Sequence, residues 1–171
     1  MEIDQIITEA YRDRSLLARE EVKASVLTVI AKLNAGQLRV AEPVPGATGP
    51  GSWKVNDWVK MGILLYFGIT KMEALDAGPF EWHDKIPVKK RAGLPGVRSV
   101  PGSVVRDGAY VSPGAILMPS FVNIGAWVGE GTMVDTWATV GSCAQVGRRV
   151  HLSGGVGVGG GGGGGGGTFG G

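Results

Sequence analysis

From Val104 onward every sixth residue is apolar: Val104, Tyr110, Ile116, Val122, Val128, Val134, Val140, Val146, Leu152 and Val158. No insertion interrupts this series. The residue four positions further on is restricted mostly to small side chains: Gly108, Gly114, Ser120, Ala126, Thr132, Ala138, Ala144, Val150 and Val156. A period of six is neither the two of a strand nor the roughly 3.6 of a helix, so the repeating unit is larger than either. The pattern predicts a β-helix, in which short parallel strands form the faces of a prism and turns form its corners. A large aliphatic side chain points inward from each face with a small one beside it. Stacked coils then bury a continuous apolar column that no single coil buries alone. An ordinary sandwich would have to place the whole series in phase by chance. The period leaves handedness open, and most parallel crossovers are right-handed.

Before the repeat, Ile3, Ile6, Ile7 and Ala10, and then Val22, Val26, Val29, Ile30 and Leu33, each fall on one face of a helix. Asn34 and Gly36 supply a stop to the second helix, and Leu38 to Ala41 reads as a short extended segment. Pro43 to Gly51 is rich in proline and glycine and reads as a loop that cannot sustain regular pairing. Asn56 is placed to cap a third helix running through Trp58, Val59, Ile63 and Leu64. Gly78 to Gly96 reads mostly as loop. The expected organisation is a mainly helical unit with linker over residues 1–96, a β-helix over 97–158, and a glycine-rich tail over 159–171. The unbroken run from Gly159 to Gly167 offers nothing that a packed core could use. The fold class expected is therefore α+β.

Composition excludes several classes of function. A net charge of +2 with 19% charged residues gives no broad basic face for a phosphate backbone, so nucleic acid is not expected as a partner. Met61 to Ile69, the longest apolar stretch, is about half of a membrane span, and Met1 is followed by acidic Glu2 and Asp4 rather than by a basic signal-peptide start. The expectation is a soluble, cytoplasmic protein with no membrane partner. Cys143, the single cysteine, has no disulfide partner within the chain and no companions for a structural zinc site, which fits a reducing compartment. No metal site is expected.

The segment LMPSFVNIGAWVGEGTMVDTWATVGSCAQVGRRVHLSGGVGV, Leu117 to Val158, closely resembles the corresponding part of tetrahydrodipicolinate N-succinyltransferases. Its most specific stretch is GTMVDTWATVGSCAQ, where Asp135, Trp137 and Cys143 break the generic repeat with residues that stacking does not demand. Weaker similarity extends through LNAGQLRVAEP near Leu33, DKIPVK at Asp84 and VRSVPGSVVRDGAYV from Val97. The resemblance implies a left-handed β-helix and a homotrimer with active sites between neighbouring β-helices. It implies transfer of succinyl from succinyl-CoA to the amine of ring-opened tetrahydrodipicolinate, in lysine and diaminopimelate synthesis. Succinyl-CoA would then be a co-substrate, with no permanently bound cofactor, and a dicarboxylic amino-acid precursor the acceptor. Beyond Val158 the resemblance ends, so the chain reads as a truncated member. The catalytic glutamate that the family carries in a later coil has no counterpart, and activity of this chain alone is not expected.

Two readings of Asp135 stand beside each other: a corner carboxylate accepting backbone N–H bonds, or, as the resemblance implies, a contact to the acceptor amine with general-base assistance. An amine must be neutral to attack a thioester, and a carboxylate can orient it and help take its proton. Arg98 aligns with a family arginine that binds a substrate carboxylate, a role suited to the guanidinium fork; the alternative is a solvated surface residue. Arg106 is a second candidate for the same role. His151 reads as a polar turn residue and Cys143 as packing rather than a nucleophile. Ser153, Gly154 and Gly155 either let a pantetheine arm approach the backbone or ease a tight corner. Arg148 and Arg149 are candidates for CoA phosphates or are simply solvated. No CoA-contacting residue is assigned. A related tetrahydrodipicolinate N-acetyltransferase and a non-catalytic β-helical scaffold are the rival readings. A carbonic anhydrase would need a histidine cluster for zinc, whereas the chain has only His83 and His151.

Overall fold

The computed structural model describes residues 1–46, 52–159 and 169–170. The chain folds into an N-terminal helical region followed by a left-handed parallel β-helix of hexapeptide repeats. Helices α1 (Ile3–Arg12), α2 (Glu20–Asn34) and α3 (Asp57–Ile69) pack together. Most of the apolar stripes read from the sequence enter their shared core: Ile7 and Ala10 from α1, Val26, Val29 and Leu33 from α2, and Val59 and Ile63 from α3; the buried leucine of α3 is Leu65, whereas Leu64, placed on the stripe from the sequence, is exposed. A Cβ at Gly62 would stand 3.1 Å from Val29 Cγ1, so glycine permits the close approach of α2 and α3. Gly36 has φ +68° and follows the last turn of α2, where Gln37 N–H bonds back to Lys32 C=O. No helix among the described residues is long and apolar enough to cross a membrane.

Three local expectations need correction. Asn56 precedes α3, but its side chain does not cap that helix; its Nδ2 donates to Arg39 C=O and Glu42 Oε1 instead. Pro43 is not in a loop: strand β1 (Ala41–Pro43) pairs antiparallel with β2 (Trp53–Val55), and Pro43 sits opposite Trp53 at the end of this two-stranded ribbon, where its missing N–H is tolerated. Val44 to Gly46 turn out of β1 as expected, and residues 47–51 of the expected loop lie outside the described residues. The expected loop after Gly78 contains one arm of a hairpin, β3 (Glu73–Ala77) with β4 (Phe80–Asp84), turned by Gly78 at φ +69° and Pro79.

The β-helix runs through two-residue strands β5 (Arg98–Ser99), β6 (Val104–Val105), β7 (Tyr110–Val111), β8 (Ile116–Leu117), β9 (Phe121–Val122) and β10 (Trp127–Val128). It continues with β11 (Met133–Val134), β12 (Thr139–Val140), β13 (Gln145–Val146), β14 (His151–Leu152), β15 (Gly157–Val158) and β16 (Phe169–Gly170). These strands build three parallel sheets, ordered β5-β8-β11-β14, β6-β9-β12-β15 and β7-β10-β13-β16. The glycine tract over 160–168, where most of the expected tail falls, lies outside the described residues.

The inward residues differ in phase from the sequence reading over the first coils. The buried series is Val105, Val111 and Leu117, followed by Val122, Val128, Val134, Val140 and Val146, while Val104, Tyr110 and Ile116 are half-buried on the outside. The small residues shift with them: Ala109 and Ala115 are buried, and Gly108 and Gly114 are the positive-φ corners instead. The cause is one shortened side. Five residues rather than six separate Leu117 from Val122, so Val104 pairs with Phe121, seventeen positions on, while Phe121 pairs with Thr139, eighteen on.

The helical region is seated on the β-helix by apolar and polar contacts. Ile124 and Cys143, both at corners of the β-helix, belong to the helical core rather than to the β-helix column. Asn34 Oδ1 accepts Gly108 N–H at 2.8 Å while its Nδ2 donates to Asp107 Oδ1 at 2.7 Å. Tyr66 Oη donates to Asp107 Oδ2 at 3.3 Å. Burial, reinforced by the Asp107 charge, pushes the Tyr66 phenol up to about 12. Arg39 lies 4.2 Å from the Trp127 ring centroid and donates from Nε to Gln145 Oε1.

Candidate functional site

In the β5-β8-β11-β14 sheet, Arg98 is in register with Ile116, Ile116 with Met133, and Met133 with His151. Alternation along a strand turns this row outward because Leu117, Val134 and Leu152 beside it point into the column. Asp135 follows Val134, and its N–H is fixed to Leu152 C=O at 3.0 Å. The carboxylate therefore leaves the end of β11 on the outer flank.

Asp135 Oδ1 accepts Thr136 N–H at 2.7 Å and Thr136 Oγ1 at 3.3 Å. Its Oδ2 meets His151 Nε2 at 3.1 Å. The Thr136 N–H bond, followed by the His151 contact, holds the carboxyl below its usual range. The side chain of Asp135 is 30% exposed and that of His151 is 59% exposed, so both reach solvent. His151 is not a turn residue: it lies in β14, one coil above Met133, and stacking brings it onto Asp135. This contact escaped the sequence reading, although an eighteen-residue coil places position 151 next to 133 and hence near 135.

The turn after Asp135 is unusual. Trp137 has φ +60° and remains 74% exposed, with its N–H held by Pro119 C=O. The corner positions before it in the series are glycines, Gly125 and Gly131, whereas Trp137, Cys143 and Arg149 adopt the same left-handed backbone with bulky side chains. That geometry costs an L-residue about 1–2 kcal/mol. Gly154 stands above Thr136, whose carbonyl oxygen would be 3.2 Å from an added Cβ, and Gly155 has φ +75°. These two glycines fit a tight corner directly over the carboxylate turn.

Arg98 is exposed, on the same sheet as Asp135 and two strands away from Met133. With strands about 4.8 Å apart, the separation along the flank is roughly 10 Å. Arg106 is differently engaged. Its guanidinium bonds Asp84 Oδ2 at 2.5 Å and Asn123 Oδ1 at 3.1 Å, tying the hairpin to the β-helix. The thiol of Cys143 is buried and pushed up by that burial, which disfavours the reactive thiolate. Arg149 occupies a corner, with its stem 3.3 Å from where a Gly131 Cβ would stand. Arg148 lines a cleft of about 510 Å³ with Arg39, Trp53, Trp127 and Glu130, on a different sheet from Asp135.

Residues 2–69 match the family model described as "Tetrahydrodipicolinate N-succinyltransferase N-terminal". The chain is similar to the 2,3,4,5-tetrahydropyridine-2,6-dicarboxylate N-succinyltransferase of Beijerinckia indica, with 48% identity covering 61% of this chain and 40% of the relative. The enzymes of the same name from Neisseria meningitidis and Paracidovorax citrulli are 49% and 50% identical, covering 62% and 61% of this chain and 41% and 40% of theirs. The chain thus spans about two-fifths of the length of these relatives. The matched helical region and the β-helix built on it agree in what they resemble: the chain is similar to tetrahydrodipicolinate N-succinyltransferases over its helical N-terminal region and at 48–50% identity over about three-fifths of its length.

Proposed function

We propose that the protein transfers succinyl from succinyl-CoA to the amine of ring-opened tetrahydrodipicolinate, giving its N-succinyl derivative and CoA. The observation that carries this reading is the partly exposed Asp135 carboxylate, held below its usual range at the end of β11, with Arg98 on the outer face of the same sheet. Asp135 receives the acceptor amine, and Arg98 pairs with a carboxylate of the same molecule. Arg98 lies two strands, roughly 10 Å, from Met133, and Asp135 is two residues beyond Met133 on the same outer flank. Succinyl-CoA is a co-substrate in this reading, and the thioester carbonyl must lie next to the amine that Asp135 holds. The site is an open flank rather than an enclosed cavity. A second β-helix against that flank would exclude water, and a homotrimer in the cytoplasm is the assembly we propose for it.

The test is a thiol-release assay on the full-length protein with the amino-oxopimelate acceptor, comparing succinyl-CoA with acetyl-CoA. Succinyl-dependent release of CoA that disappears in Asp135→Asn supports both the reaction and the residue. Equal rates with the two donors, or no release with either, defeats the succinyltransferase reading.

A further inference from the structure

The outer row of the β7-β10-β13-β16 sheet sets Tyr110, Trp127 and Gln145 in register. Gln145 is fully buried, and its Nε2 donates to the carbonyls of Gly125 and Cys143, each at 3.2 Å. Its amide is thereby oriented, and Oε1 is left to accept Arg39 Nε–H at 3.0 Å. The Arg39 guanidinium is held over the Trp127 ring, 4.2 Å from its centroid, and 5.8 Å from that of Trp53. The Nη groups, which carry the remaining donors of the fork, have no acceptor among the described residues. Arg39 forms no ion pair among them either: Glu42, the carboxylate that acts on its charge, accepts Asn56 Nδ2 at 3.2 Å and lies 4.0 Å from Lys54 Nζ. Burial lowers the guanidinium from its ordinary value, with the Glu42 charge acting the other way. A guanidinium taken partly out of water without a bonded anion is costly, because little replaces its lost solvation.

Arg39 lines the cleft of about 510 Å³ that also takes in Arg148, Trp53, Trp127, Ser112 and Glu130. A volume of that order suits a small organic molecule rather than a bare ion. Two guanidiniums stand against one carboxylate in the lining, and Glu130 is exposed, so solvent screens its charge. We propose that this cleft binds a small organic oxyanion, a carboxylate or a phosphate ester, through the Nη edge of Arg39 and through Arg148, with the organic body against Trp53 and Pro43. The planar fork of Arg39 matches two oxygens of such a group at once. Because Gln145 and Trp127 already pin the guanidinium, little side-chain freedom is lost when the anion binds. The cleft lies on a different sheet from Asp135, so its ligand is separate from the acceptor placed on that flank.

The experiment is a calorimetric titration of the full-length protein with phenyl phosphate, benzoate and uncharged benzamide. The two anions are expected to bind, and benzamide about tenfold more weakly or not at all. The tighter anion identifies the headgroup as phosphate or carboxylate. Arg39→Lys keeps a charge but loses the fork, and should raise the Kd of that anion about tenfold. Arg148→Ala changes an exposed side chain, so it should fold as wild type and raise the Kd about threefold or more. Arg98→Ala, on the Asp135 flank, should leave the Kd unchanged. Melting temperatures check the fold of each variant, and should Arg39→Lys fail to fold, Arg148→Ala decides alone. An unchanged Kd in Arg148→Ala or in a folded Arg39→Lys overturns the proposal, as does benzamide binding as tightly as the anions. No heat with either anion at about 10 mM does so too. Loss of binding in Arg98→Ala would put the anion on the other flank and equally defeat the cleft.

Discussion

Leu117 and Val122 are the inward residues of successive faces of the β-helix, yet five residues separate them where six separate every later pair up to Leu152. The short side reverses which residue of each earlier strand faces the column. It leaves Ile116 half-buried outside and Leu117 fully buried inside. Leu117→Ala should therefore cost about 2–5 kcal/mol of stability, and Ile116→Ala about 1 kcal/mol. Denaturant titration of the two variants measures this; the reverse ranking would mean the six-residue phase holds throughout.

Much of this architecture can be read in the sequence, because a period of six survives a single shortened side. The phase could not be read so readily, since Val104 and Val105, Tyr110 and Val111, and Ile116 and Leu117 are all apolar and hide which member turns inward. Gly108 and Gly114 compounded the error: they look like small packing residues, but Ala109 and Ala115 fill that place while the glycines serve the corners. The β3–β4 hairpin left no trace because most of its residues are exposed, so no buried face imposes alternation. Asp135 stood out as a break in the repeat. His151 did not, since its significance comes from coil stacking across sixteen residues.

Trp137 occupies a left-handed corner that Gly131 fills one turn earlier and Gly155 three turns later. Trp137→Gly should relieve backbone strain and raise stability by about 1 kcal/mol, read as an increase in the denaturation midpoint. A loss of stability would show that packing of the ring outweighs the strain even though the ring is mostly exposed.

Tyr66 links the helical region to Asp107 on the β-helix, and its phenol is pushed from an ordinary value of 10 up to about 12. The folded value lies above the unfolded one, so the neutral phenol contributes stability that is fully present below pH 10. That contribution is lost as the pH rises towards 12. Stability should fall across this alkaline window, and Tyr66→Phe should flatten part of the fall. Matching alkaline profiles for wild type and variant would remove Tyr66 from the account.

Arg98 and Arg106 are eight residues apart, and the structure gives them different work. Arg106 is 16% exposed and bonded to both Asp84 and Asn123, so Arg106→Ala should cost about 1–3 kcal/mol. Its cost should appear in stability, because the hairpin loses its tie to the β-helix. Arg98 is exposed at the start of the first β-helix strand, so Arg98→Ala should leave the melting temperature near wild type. If Arg98 holds a substrate carboxylate, the same substitution should raise the acceptor KM by about tenfold or more, the loss of one charge-assisted hydrogen bond. An Arg98→Ala protein with unchanged acceptor KM would make Arg98 a solvated surface residue and leave Asp135 without its proposed partner across the flank.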